Sequence, residues 1–71
     1  MKLHYNAETD SLYIELSPRP SADSREVVDG LVADLDAEGN VVGIDIDQAS
    51  KKLDLGSLEA LGLPTTSLRV A

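Results

Sequence analysis

The chain has no cysteine, tryptophan or phenylalanine among its 71 residues, and its only aromatics are Tyr5 and Tyr13. Without cysteine there is no disulfide framework, no thiol nucleophile and no Cys-based zinc site. The single histidine, His4, cannot make a metal-spaced Cys/His set. Basic residues are few, six Lys and Arg against thirteen Asp and Glu, for a formal net charge of −7. That balance argues against non-specific nucleic-acid binding, which relies on neutralising phosphates with cations. It argues equally against an anionic membrane surface. No apolar run is long enough for a signal or membrane-spanning segment, and Met1 to Tyr5 already reads as strand. The expectation is a cytoplasmic protein. No glycine-rich phosphate loop occurs either, so no cofactor is implied.

The shortage of large apolar side chains also bears on stability. Ordering a chain of this length costs on the order of 100 kcal/mol, and there are few bulky rings to bury against that cost. Small chains in this position gain stability by oligomerising or by binding a partner. A homodimer through an edge strand or the leucine-rich C-terminal segment is one expectation.

What is present is a strong period-2 pattern. Leu31, Ala33 and Leu35 alternate with Val32, Asp34 and Asp36, while Val42, Ile44 and Ile46 alternate with Val41, Gly43 and Asp45. Opposed residues must share a face, so a four-residue loop over 37–40 predicts Leu35 opposite Val42, Ala33 opposite Ile44 and Leu31 opposite Ile46. A three-residue loop would mix the faces. At the N-terminus the loop Ala7–Asp10 pairs Tyr5 with Leu12 and Leu3 with Ile14. The same register sets Lys2 opposite Glu15 and His4 opposite Tyr13. Between the hairpins, Ser17 to Ser24 carries two prolines and reads as loop. A third strand, about Arg25 to Val28, should turn through Asp29-Gly30 into Leu31. That turn places Arg25 opposite Asp34 and leaves Glu26 pointing inward beside Ala33, a local conflict.

Beyond Ile46 the periodicity changes. Asp47 can cap a helical turn over Gln48–Lys52, and Ser57 a second over Leu58–Leu61, closed by Gly62. Leu53, Leu55, Leu58, Leu61 and Leu63 then lie across the apolar face of the sheet, and Ser67 to Val70 adds a short strand or trails away. The fold class is α+β: a small antiparallel β-meander of about five strands, with one or two short C-terminal helical turns packed on one face. A single domain over 1–71 comprises hairpin blocks 1–16 and 25–46, a leucine-rich helical tail 47–63 and a tail 64–71.

Several residues invite a chemical reading. Asp34, Asp36, Glu38, Gly39, Asn40 and Asp45 imitate part of a calcium loop, but such a loop sits between helices and ends in a bidentate Glu. As a hairpin face, Asp34, Asp36 and Asp45 could share a weak divalent site, with Glu38 nearby. A solvated acidic face, or a docking face for a basic partner, is the simpler account. His4 beside Tyr13 is a surface residue before it is a general base. Glu8 and Asp10 serve turn chemistry before acid–base catalysis. Neither Ser11 nor Ser17 has a nucleophile-elbow context.

The stretch from Tyr5-Asn6-Ala7-Glu8-Thr9-Asp10 to Ser11-Leu12-Tyr13-Ile14 resembles the opening of an uncharacterised bacterial family, domain of unknown function 2283. So does Gly30 to Asp36, through Gly39, to Gly43-Ile44-Asp45-Ile46 and Ala49-Ser50. The resemblance covers roughly residues 1–50. Asn6 stands where the family has Asp, Asp45 where it has Glu, and Asp47-Gln48 replaces an apolar–Asp pair. The resemblance implies a small soluble protein of no established activity, of a kind considered for the antitoxin half of toxin–antitoxin pairs. Together these readings predict a small acidic, non-catalytic protein-binding module, antitoxin-like, with a protein partner that is basic by charge complementarity. Asp34, Asp36 and Asp45 would be its electrostatic contacts, with Leu58 and Leu61 its apolar anchors. Weak divalent-metal binding through Asp34, Asp36, Glu38 and Asp45 is the alternative.

Overall fold

The computed structural model describes residues 1–64 and 68–70. Five strands are followed by one short helix: β1 (Lys2–Asn6), β2 (Ser11–Glu15), β3 (Asp23–Val28), β4 (Leu31–Leu35), β5 (Val41–Ile46) and α1 (Ala49–Lys52). All pairings are antiparallel. The sheet order is β1-β2-β5-β4-β3, so the strands do not form a sequential meander. Instead β2 closes against β5, joining two hairpin blocks into one sheet. The connection from β2 to β3 therefore crosses the ends of β5 and β4. It is tied there by the amides of Leu16 and Ser17, which donate to the Val42 carbonyl, and by Ala22 N–H donating to Leu35.

The β1–β2 hairpin has the expected register throughout, including Lys2 opposite Glu15 and His4 opposite Tyr13. On the other hairpin, Leu31 opposes Ile46 and Ala33 opposes Ile44, as the alternation requires, but Leu35 meets Val41 rather than Val42. The turn is the three-residue type, closed by Asp36 N–H donating to the Asn40 carbonyl at 2.9 Å, with Gly39 in the left-handed region at φ 88°. The parity error of an odd turn is absorbed by a bulge between Asp34 and Leu35, which restores Asp34 opposite Gly43. A second bulge, between Glu26 and Val28, resolves the inward glutamate. It sets Glu26 opposite Val32 on the polar face, and Arg25 meets Ala33 instead of Asp34. Arg25 lies on the exposed edge strand, so its charge stays in water.

The apolar face carries the core. Leu12, Ile46 and Ala49 are buried together, flanked by Ile14, Leu31 and Ile44. Ala49, fully buried, brings α1 down onto β2 and β5. The helix is not capped by Asp47: Gln48 occupies the N-cap in the left-handed region, and its own side chain makes no capping hydrogen bond. Nor does a second helical turn form over 58–61, which has no regular structure. A single isolated turn fixes several dihedrals for one hydrogen bond and does not persist without tertiary cover. The expected strand or tail at Ser67 to Val70 lies partly outside the described residues, and Leu68 to Val70 is irregular. No helix among the described residues is long and apolar enough to cross a membrane.

Candidate functional site

Two polar clusters hold the sheet's accessories in place. The first centres on Asp10, the last residue of the β1–β2 turn, held at φ 51°, where a short polar side chain is tolerated. Its Oδ1 accepts from the Tyr5 hydroxyl at 2.7 Å and from Ser50 N–H at 3.0 Å, and its Oδ2 accepts from Ser50 Oγ at 2.7 Å. Its carbonyl accepts Ala49 N–H at 2.8 Å. Asp10 thus supplies the N-terminal cap of α1 from forty residues upstream. The Ser50 and Tyr5 hydrogen bonds lower its carboxyl pKa, and the hydrogen bond that the Tyr5 hydroxyl donates to it raises that of Tyr5.

Asp36 is the second. It is buried, and its Oδ1 accepts the amides of Glu38 at 3.0 Å and Asn40 at 2.8 Å. Asn40 Nδ2 and the Arg19 guanidinium approach its Oδ2 at 3.3 and 3.4 Å. Its carboxyl pKa is lowered, chiefly by the Asn40 amide and against the desolvation that burial imposes. Asp36 therefore does not stand on the polar face with Asp34 and Asp45: it leaves the strand to build the turn. Replacing Asp36 with Ala should raise hydrogen exchange at the Glu38 and Asn40 amides selectively. An Asp45→Ala control should leave those amides unchanged, and equal exchange in both proteins would dismiss the assignment.

On the polar face Asp34 is also engaged. It accepts from Tyr13 Oη at 2.9 Å and from Ser24 Oγ at 2.7 Å. Tyr13 reaches it by lying across Gly43, and this hydrogen bond to the carboxylate raises the phenol's pKa. Asp45 lies between Tyr13 and Val32. Glu38 is in the exposed turn. The residues proposed for a divalent site are thus dispersed, and no three acidic or imidazole groups converge among the described residues. His4 stands opposite Tyr13 on edge strand β1, away from the Asp10 cluster.

The least satisfied surface is apolar. Leu3 and Tyr5 on β1, Leu12 and Ile14 on β2, and Leu55 and Leu58 on the returning chain line an open cleft of about 410 Å³. Leu58 is 68% and Leu61 83% exposed. Leu53, Leu55 and Leu58 thus lie against one half of the apolar face without closing it, while Leu61 and Leu63 are not among the residues lining the cleft.

The architecture is that of a small α+β protein: a five-stranded antiparallel sheet with one short helix after the strands. Residues 2–50 match a protein family of unknown function (DUF2283), and the chain belongs to that family. The matched span takes in all five strands and the start of α1, including Asp10, Ala49 and Ser50. No curated protein matches the chain, and no solved structure does. Sequence reasoning singled out Asp10 only as a turn residue; its signal was the joint presence of Tyr5, Asp10 and Ala49-Ser50 in the two blocks that carry the resemblance.

Proposed function

We propose that this protein is a non-catalytic protein-binding module of the small acidic, antitoxin-like kind. The observation that carries the reading is the contrast between its two kinds of surface. Asp10, Asp34, Asp36, Tyr5 and Tyr13 are tied into structural hydrogen bonds, whereas the apolar cleft beside Leu58 stands open. Open apolar surface rimmed by polar residues marks a place where another macromolecule docks. The acid surplus of −7 steers the choice of partner toward basic proteins. In this reading Leu58 and Leu61 are the apolar anchors, and Asp45 and Asp34, on the opposite polar face, act at a distance, adding to the negative field that steers a basic partner in.

Capture of stoichiometric partners on the immobilised full chain tests it. Leu58→Asp should weaken capture by about tenfold or more. Asp45→Lys should slow association and reduce its salt dependence. Since Leu58 is solvent-facing, neither change should unfold the domain, which circular dichroism checks. Capture that ignores both substitutions would sink the proposal.

A further inference from the structure

We infer that Asp29-Gly30 is a site of spontaneous covalent modification: in the folded chain Asp29 closes to a cyclic imide that reopens as isoaspartate. The two residues form the turn between the paired Val28 and Leu31. Of the chain's aspartates, Asp29 alone is followed by glycine. The attacking atom is the amide nitrogen of the next residue, and glycine presents it with no side chain in the way. Gly30 holds φ at 81°, and among the described residues its N–H donates to no backbone carbonyl. The nitrogen is therefore not committed to the ladder. The carboxyl group is equally free, at an exposed position. Those of Asp10, Asp23, Asp34, Asp36 and Asp54 each accept a hydrogen bond, whereas no hydrogen bond or ion pair among the described residues holds that of Asp29. Asp45 and Asp47 are also unheld, but isoleucine and glutamine follow them.

The reaction balances within the chain. Gly30 N bonds to Asp29 Cγ, the Cγ–O bond breaks, and one carboxyl oxygen leaves as water with the amide proton and the acid proton. Water then adds to one of the two ring carbonyls. Addition at Cγ restores aspartate. Addition at the main-chain carbonyl leaves the peptide running through Cγ, as isoaspartate, with one more methylene in the backbone. That methylene falls where the sheet meets the tail. The Gly30 carbonyl accepts Asp47 N–H at 2.8 Å, and the Lys52 ammonium lies against Gly30. Hairpin register is set by loop length, so a lengthened turn cannot keep both the Val28–Leu31 pair and the Gly30 carbonyl in place. Isomerisation therefore loosens the end of α1 that Asp10 does not hold.

Ageing the full chain in warm, near-neutral buffer tests the inference, with peptide mapping by electron-transfer fragmentation as the readout. Isoaspartate should build up at residue 29 over days to weeks, through an intermediate lighter by one water. Its level there should exceed that at Asp23 and Asp54 several-fold. Asp29→Glu, which would need a larger ring, should abolish it. Asp29→Asn should form the same imide faster, with release of ammonia. The isomerised chain, separated from the unaged form, should exchange its Asp47 amide several-fold faster. Isoaspartate that forms only in urea-unfolded chain, or no more at residue 29 than at Asp23 and Asp54, overturns the site. Unchanged exchange at Asp47 in the isomerised chain overturns the link to α1.

Discussion

Asp10→Ala is expected to release α1 from the sheet and lower the melting temperature by about 5–10 °C, the scale of a lost helix cap in a domain of this size. The residue joins three parts of the chain that otherwise touch sparsely: the first turn, the Tyr5 hydroxyl on the edge strand, and the start of α1. Ala49, whose amide is fixed by the Asp10 carbonyl, is the side chain through which α1 enters the core. Losing the carboxylate therefore loosens more than a surface bond. It leaves Ser50 N–H and Tyr5 Oη without their partner and frees the chain after Ile46 to move. The pH dependence gives the same prediction a second readout. The folded-state pKa of Asp10 lies below the ordinary 3.8, mainly through its hydrogen bonds from Ser50 and then Tyr5. Its contribution is therefore present in full above about pH 4 and is lost as the pH falls through the folded-state value. Thermal melts between about pH 2 and 7 should show a shallower acid limb in Asp10→Ala than in the wild type. Identical acid limbs would show that the carboxylate does not stabilise the fold. Asp36, whose pKa is also lowered, supplies the acid dependence that remains.

How much of this was legible in the sequence depends on where the information sits. The β1–β2 hairpin is written twice over, in the alternation of Leu3 and Tyr5 with Lys2 and His4 and in the matching pattern of β2. Each face then confirms the other, and no other register keeps both. The β4–β5 pairing was equally plain in its middle and misread at its end. Asp36 looked like one more alternating outward residue. Its ability to bind amides two and four positions ahead is a property of the side chain, which periodicity does not encode. The conflict over Glu26 marked where the expected register fails, but it reads equally as a fraying edge or a looser turn; the parity change that resolves it is a bulge just after Glu26, at Val27. The closure of β2 on β5 was not written locally at all. It follows from hydrophobic burial, because β2 and β5 both carry apolar side chains that need neighbours on two sides. The helix cap was the least legible feature, because donor and acceptor are forty residues apart and only the fold brings them together.

The candidate site divides along the same line. Carboxylates that clustered in sequence, Asp34, Asp36, Glu38 and Asp45, separate in space into a strand contact, a turn builder, an exposed turn residue and a mid-sheet surface position. The leucines of the tail behave in the opposite way. Of those spread over Leu53 to Leu63, Leu53, Leu55 and Leu58 meet one half of the sheet face, yet Leu58 and Leu61 stay largely exposed. Charge density along the chain was thus a poor guide to a site, whereas unsatisfied apolar residues were a better one. Burying a carboxylate requires partners, which the fold supplies at Asp36. Burying a leucine requires only apolar neighbours, and Leu58 and Leu61 are left largely without them.

Gly43→Ala is the second large effect expected, and its cause lies across the sheet. Gly43 is buried in β5 beneath the Tyr13 ring, and a Cβ built there would overlap Tyr13 Oη and stand 2.6 Å from its Cζ. Tyr13 would have to swing away, breaking its 2.9 Å hydrogen bond to Asp34 and exposing the ring. Overpacking of this kind costs about 1–3 kcal/mol, against which alanine's better fit to a strand returns about 0.5–1 kcal/mol. The net expectation is destabilisation, read by urea denaturation as a lower midpoint with little change in slope. A double-mutant cycle isolates the cause. In a Tyr13→Ala background the space above residue 43 is empty, so adding Gly43→Ala should be neutral or stabilising by about 0.5 kcal/mol. Tyr13→Phe should cost about 1 kcal/mol on its own, the hydrogen bond without the ring. If Gly43→Ala were equally harmful in both backgrounds, the Tyr13–Gly43 contact would not be its cause. Strain in the β5 backbone would then be the better account. Because Asp34 also accepts from Ser24 on β3, the same ring position links β2 to β3 across two intervening strands. Loosening it should therefore raise hydrogen exchange at the β3 edge as well as in β5.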